Sequence, residues 1–271
     1  MILIVLRSIL FQIAYISACI FWFVVASAAW FMKRGSMYGF GRGWARTILW
    51  LHRVIVGARV EFRGVERIPE GPLLFCAKHQ SAWETMALLL FAHKYTYILK
   101  QELLDIPLFG RHLKCAEQIP IDRSKGRTAL ARMLVEARER LSRGAQIIIF
   151  PEGTRRRAGA VPAYKFGAAK IYSKLGVACV PVAMTSGLAW PRNTFLHYPR
   201  PILVEFLEPI PAGLDAETFQ ARMQAAIETN TDRLLDEAGF TAEERAAAVA
   251  ASLQADAAAA AAKASDNQSS E

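Results

Sequence analysis

The 271 residues read as an α/β domain, a central mixed sheet flanked by helices, carried on an N-terminal hydrophobic membrane-anchoring helix. Three observations lead there. From Val60 to Glu237, short apolar runs of strand length alternate with longer amphipathic patterns, as expected of strands joined by helical crossovers. Ser8 to Met32 contains no charged residue. After Gly239 the composition degenerates toward alanine. The chain therefore divides into an anchor with an interfacial helix at 1–57, an α/β domain at 58–240, and an Ala-rich low-complexity tail at 241–271, helical in part with little to pack and read as dispensable for chemistry.

The uncharged run comes first. Its residues would form a helix of about 37 Å, against a hydrocarbon core of about 30 Å. Arg7 precedes it and Lys33, Arg34, Arg42 and Arg46 follow, so the positive-inside rule places the following domain in the cytoplasm, on an inner membrane. Ala26-Ser27-Ala28 resembles a signal-peptide cleavage site, but the apolar run is too long for a typical signal core. A retained anchor is the reading. Between residues 37 and 57, Trp44, Ile48, Leu51 and Ile55 follow helical spacing, interleaved with Arg42, Arg46 and Arg53. That pattern suits an interfacial helix with Trp44 and Trp50 at headgroup depth; the alternative is an amphipathic helix packed on its own domain.

Within the domain, strands are expected at Val60–Arg63, Leu73–Lys78, Tyr95–Lys100, Ile119–Ile121, Gln146–Phe150, Val177–Met184 and Ile202–Leu207. Helices are expected at Ala82–Ala92, Leu103–Leu113, Arg127–Arg143, Phe166–Leu175 and Ala216–Glu237. Pro107 and Gly110 shorten or break the second of these, and Gly144 and Gly176 sit where helices stop.

Charge is distributed unevenly. The chain carries 33 Lys+Arg against 24 Asp+Glu, a net +9. From Asp215 onward there are 4 basic and 11 acidic residues, which leaves +16 on the first 214. A basic body attracts anionic surfaces or phosphate ligands. With an apolar N-terminus, an anionic membrane surface is the better partner; no RNA- or DNA-binding motif points to nucleic acid. Cys19, Cys76, Cys115 and Cys179 lie apart in apolar contexts, which fits a reducing compartment and neither a disulfide framework nor a zinc site.

Two runs carry chemistry. In AKHQSAWETM, His79 follows a strand-like run and is followed five positions later by Glu84. A neutral imidazole at the C-terminal end of a strand can take a proton from a substrate hydroxyl, and a carboxylate on its other nitrogen fixes the tautomer. Glu84 also completes a capping box with Ser81, so helix capping competes with the catalytic reading. A metal site on His79 and Glu84 lacks further ligands. In FPEGTRRR, Phe150 ends a strand, Gly153 permits a turn, and Arg155 offers a guanidinium fork suited to phosphate. Arg156 and Arg157 read as a solvated loop. Glu152 is either a salt-bridge partner or an acceptor for substrate. Arg123 follows one strand and Lys100 ends another, so both would reach the same edge of a parallel sheet; the alternative is that each is an ordinary strand-terminal cation.

These runs resemble the glycerolipid acyltransferase family, and within it the 1-acylglycerol-3-phosphate acyltransferases, over about residues 60–210. KHQSAWE matches the family's H-x-x-x-x-D block, with glutamate one methylene longer than the usual aspartate. Lys100-Gln101-Glu102-Leu103 with Pro107 and Gly110, FPEGTR, and Val180-Pro181-Val182-Ala183 match three further blocks. The resemblance implies a membrane enzyme that uses no cofactor and moves an acyl chain from acyl-CoA or acyl carrier protein to lysophosphatidic acid, giving phosphatidic acid. It implies that His79 is the base, that Arg123 and Arg155 meet the acceptor phosphate, and that Glu152, Gly153 and Thr154 belong to the same acceptor block. Lys100 matches a lysine beside the pocket, and Pro181 shapes the pocket or acyl tunnel. The rival functions are an acyltransferase for another lysolipid, a non-catalytic membrane adaptor holding anionic lipid, and a secreted esterase.

Overall fold

The structure, a computed structural model, describes residues 1–27, 37–107, 109–122 and 125–268. In chain order the elements are α1 (Ile2–Ser27), α2 (Met37–Leu51, continued by a π-turn His52–Val56), β1 (Val60–Arg63), β2 (Leu73–Ala77), α3 (Trp83–Ala87), β3 (Tyr95–Lys100), α4 (Phe109–Cys115), β4 (Ile119–Ile121), α5 (Gly126–Ser142), β5 (Gln146–Ile149), α6 (Gly167–Leu175), β6 (Cys179–Met184), α7 (Ser186–Ala189), β7 (Ile202–Phe206), α8 (Ala216–Glu237) and α9 (Ala242–Gln268).

The seven strands form one sheet in the order β1-β7-β6-β2-β5-β3-β4. Every pair is parallel except β6 with β7, so the sheet is mixed. Strands β6, β2, β5, β3 and β4 therefore all end at one edge, where ligands of α/β sheets usually bind.

All five residues of β2 are buried, because helices cover both faces of the sheet. Alternation sends Leu73, Phe75 and Ala77 to one face and Leu74 and Cys76 to the other. The first face packs Phe11 of α1, Ile48 of α2, and Trp83 and Met86 of α3. The second packs Met133 and Ala137 of α5, Ile171 and Tyr172 of α6, and Phe219 and Ile227 of α8. Truncating Phe75, 1% exposed, to alanine should cost about 3–5 kcal/mol. Helix α8 starts where Asp215 accepts the Thr218 amide at 2.9 Å, an N-cap that satisfies an otherwise free donor.

The helix expected over Leu103–Leu113 is broken, in keeping with Pro107 and Gly110, into a 3₁₀ turn at Gln101–Leu104 and α4; Gly110 packs directly on the Leu104 carbonyl. Two expectations need correction. Helix α3 is short and runs into a 3₁₀ turn. Helix α2 takes the packed alternative: Ala45 and Ile48 are fully buried, and only Trp50 of the two tryptophans is exposed. Trp44 instead donates to Cys19 Sγ at 3.5 Å, and Arg42 donates to the carbonyls of Leu89 at 3.2 Å and Ala92 at 2.9 Å. The tail is helical, as α9, and its own Ala248 and Ser252 are buried.

Helix α1 lies along the domain. Near its start Ser8 accepts the His197 amide at 2.8 Å. Phe11 packs edge-on against His52 at 5.1 Å and Trp190 at 5.2 Å. Near its end Trp22 donates to Thr47 at 3.0 Å, Phe23 packs on His112, and Ala26 is buried with Met37.

Candidate active site

Strands β2 and β5 are neighbours with Cys76 opposite Ile149. The residues that follow them, His79 and Phe150, consequently meet: the imidazole lies flat on the Phe150 ring, centroids 4.0 Å apart and planes 15° from parallel. Tyr97 of β3 is stacked with Phe150 at 6.0 Å. This apolar stack limits the rotation of His79.

His79 Nδ1 is 2.9 Å from Glu84 Oε1. The same oxygen accepts the amides of Gln80 at 2.7 Å and Ser81 at 2.6 Å. Glu84 Oε2 accepts the Ser186 hydroxyl at 2.7 Å. Glu84 is fully buried, yet four donors surround it, so its charge is compensated. A carboxylate only accepts, which assigns the ring proton to Nδ1 and leaves Nε2 as the basic nitrogen. No described residue partners Nε2. Capping and orienting the imidazole are thus not alternatives: the oxygen that takes the Ser81 amide is the one that faces the ring.

Glu152 is 1% exposed and points inward. Its Oε1 accepts the His79 amide at 2.9 Å, and its Oε2 is 3.4 Å from Lys78 Nζ. Lys78, itself 2% exposed, reaches Glu228 of α8 at 2.8 Å, and the Tyr164 hydroxyl donates to the same Glu228 oxygen at 2.7 Å. Burial pushes the Glu152 carboxyl above the ordinary carboxylate range, while the Lys78 charge and the His79 amide oppose the rise. Of its two expected roles the geometry is that of the salt-bridge partner, holding the main chain of His79 rather than facing a substrate.

The rim differs from this floor. Gly153 has φ +69° and closes a turn by donating to the Phe150 carbonyl at 2.9 Å, a left-handed conformation that favours glycine. It presents Thr154 and Arg155, both exposed. The Arg155 guanidinium has no acidic partner among the described residues, and Arg192 donates to the Arg155 carbonyl. Lys100, exposed at the end of β3, likewise has no acidic partner among them. Arg123 lies outside the described residues; β4, which precedes it, ends at this edge. Pro181 is opposite Cys76 in the sheet, and its carbonyl accepts the Leu207 amide at 2.9 Å. Tyr15 of α1 lies within electrostatic reach of Arg155, so the apolar helix borders the cationic rim.

Sequence reasoning did not single out Ser186, Lys78, Glu228 or Arg192. Lys78 was adjacent to His79 and could have been noticed. The others reach the site across the fold and leave no local pattern.

Residues 59–185 match the Acyltransferase family model. The 1-acyl-sn-glycerol-3-phosphate acyltransferase of Pseudomonas aeruginosa is 36% identical over 204 residues, covering 73% of this chain and 78% of that protein. The protein of the same description from Cocos nucifera is 28% identical over 218 residues, covering 75% of this chain and 68% of that one. Among solved structures, the 1-acyl-sn-glycerophosphate (LPA) acyltransferase PlsC from Thermotoga maritima matches with a TM-score of 0.60 at 21% identity, covering 84% of this chain and 97% of that one. The last likeness establishes the shared fold.

Proposed function

The chain belongs to the acyltransferase family, and we propose that it moves an acyl chain from acyl-CoA or acyl carrier protein to the sn-2 hydroxyl of lysophosphatidic acid, forming phosphatidic acid for phospholipid biosynthesis. The observation that carries this reading is the 2.9 Å contact of His79 Nδ1 with the buried Glu84, at a sheet edge whose rim displays Arg155 and Lys100, exposed and with no acidic partner among the described residues. A non-catalytic lipid holder needs the cations but not a buried carboxylate aligned on an imidazole.

In the proposed reaction the acceptor hydroxyl donates to His79 Nε2. As its oxygen attacks the thioester carbonyl, the proton passes to the ring, giving an imidazolium stabilised by Glu84. The tetrahedral adduct then re-forms the carbonyl and expels the thiolate, which takes the proton back from Nε2. The products are the new ester and free thiol, and His79 is neutral again. Arg155 and Lys100 supply the acceptor phosphate with charge-assisted hydrogen bonds, and Arg123 is proposed as a further phosphate partner by the resemblance.

The acceptor is a bilayer lipid, and α1 is placed to reach it. The helix is long and apolar enough to cross a membrane. Its inward face, however, is docked on the domain from Ser8 to Ala26, while Leu3, Leu6, Ile9, Leu10, Ile13, Ile20 and Val24 are exposed. A helix held by the domain near both ends lies along the surface, so we place its exposed stripe in one leaflet of an inner membrane. The domain then faces the cytoplasm, and its basic body meets anionic lipid.

The test is an acyl-transfer assay with purified protein, pairing each donor with lysophosphatidic acid, lysophosphatidylcholine or monoacylglycerol. Strong preference for lysophosphatidic acid supports the proposal. Equal use of monoacylglycerol, which has no phosphate, would refute the rim assignment.

A further inference from the structure

The loop after Gly153 is gripped from outside the α/β core. The Arg156 amide donates to the His79 carbonyl at 2.8 Å, tying this loop to the proposed base. Its guanidinium does not point to solvent as the sequence reading expected. It donates to both oxygens of Asp256 in α9, at 2.8 and 3.0 Å, to Ser252 Oγ at 3.3 Å, and to the Val161 carbonyl at 3.1 Å. That is a bidentate, charge-assisted contact with a helical partner. Further along the loop, Gly159 has φ +73° and rests on Phe240 and Ala248; a Cβ there would stand 2.7 Å from the Phe240 ring. Ala158 is buried among Leu234, Leu235 and Ala238 at the end of α8.

Helix α9 is itself well founded. Thr241 and Glu244 form a reciprocal capping box, with amide contacts of 2.9 and 3.1 Å, which starts the helix. Arg200 ties its first turn to the segment before β7 through Glu244 at 2.6 Å, and Arg245 ties it back to Asp236 of α8 at 2.6 Å. Alanine is the best helix former but buries little surface. The grip of α9 on the loop therefore depends on its few polar contacts more than on apolar packing.

We propose that Asp256 is a positioning residue: by holding Arg156, the C-terminal helix fixes the loop that bears Arg155 in register with His79. The tail is thus part of the acceptor site rather than an appendage. Its effect on the acceptor rests on the reading of Arg155 as a phosphate ligand, whereas its effect on the loop does not.

Two readouts separate these. The first is hydrogen exchange over residues 152–160 in the intact protein, Asp256→Ala, Asp256→Glu, and a chain ending after Gly239. Loss of a bidentate contact should accelerate exchange at Arg156 and its neighbours about tenfold in Asp256→Ala, as much or more in the shortened chain, and far less in Asp256→Glu. The second is steady-state transfer. Asp256→Ala should raise the acceptor KM several-fold with the donor KM unchanged, and Asp256→Glu should restore it; a merely destabilised protein would not show that split or that rescue. Unchanged exchange in both Asp256→Ala and the shortened chain overturns the proposal. So does faster exchange with an unmoved acceptor KM, if Arg155→Lys does raise that KM. If Arg155→Lys leaves the acceptor KM unchanged, the phosphate reading fails, and the exchange result alone decides whether α9 holds the loop.

Discussion

Both oxygens of Glu84 are occupied by donors from Gln80, Ser81, Ser186 and His79, whereas Arg155 and Lys100 on the rim stand exposed with no acidic partner among the described residues. On the proposed reading the floor is finished before any substrate arrives: a general base works best with its tautomer and orientation fixed in advance, because reorganisation during the reaction raises the barrier. The rim is open at the places where a phosphate would supply the missing negative charge. If that division is right, damage to the floor falls on kcat and damage to the rim falls on the acceptor KM.

The largest effect is expected from His79→Ala. Removing a general base lowers turnover by about 10²–10⁴-fold, and here the acceptor KM should stay within a factor of a few. Thermal melting and liposome sedimentation should stay close to the parent, since Gln80, Ser81 and Ser186 still donate to Glu84 when the imidazole is gone. Near-parental turnover, or a loss confined to KM, would break the comparison.

Glu84→Gln comes next. An amide oxygen can still accept from Gln80 and Ser81, and the Ser186 hydroxyl can rotate to accept from the new NH₂. The fold should hold while turnover falls, because the imidazolium loses its counter-charge. Glu84→Ala instead strands buried donors, at about 1–3 kcal/mol each, and should lower the melting temperature as well. Unchanged turnover in Glu84→Gln would reduce Glu84 to a cap.

At the rim, Arg155→Lys keeps the charge and loses the fork. We expect the acceptor KM to rise by roughly tenfold with a smaller change in kcat, read from initial rates at saturating donor. A rise in the donor KM alone would move the phosphate elsewhere.

The smallest effect concerns the junction with α1. Burial holds His52 at a pKa of about 3 and His197 at about 4, both below the ordinary imidazole value, with the His197 ring further lowering that of His52. The unfolded chain binds protons first as the pH drops below about 6.5, so stability contributed by the neutral rings is intact above that pH and is lost progressively toward pH 3. The urea midpoint should therefore be lower at about pH 5 than at about pH 8, and His52→Phe should flatten the difference. A midpoint independent of pH would mean that the rings are not buried in the folded protein.

The sheet was legible because each strand is a short segment, three to six residues long, rich in apolar and β-branched or aromatic side chains, and the observed strands fall within the expected ones. His79, Glu84, Gly153 and Arg155 were legible because each pair lies within one short motif. Contacts made across the fold were not. Ser186 is 102 positions from Glu84, Glu228 is 150 from Lys78, and Asp256 is 100 from Arg156, and no local periodicity encodes such pairs. In the tail, alanine carries little hydrophobic signal, so the extent of α9 was not legible, although Thr241 and Glu244 spell its cap. Helix α1 was legible as a long apolar run, but its uniform apolarity does not mark the face that packs on the domain through Phe11.

The central claim, that His79 and Glu84 act as one base, is tested most directly by a double-mutant cycle on turnover at saturating acceptor and donor. Rates are compared for the parent, His79→Ala, Glu84→Gln and the double variant. Residues that act as a unit are strongly non-additive. Once the imidazole is gone, Glu84→Gln should cost almost nothing further, and the double variant should match His79→Ala. Two losses that multiply would show that Glu84 acts independently of His79, and would contradict the account.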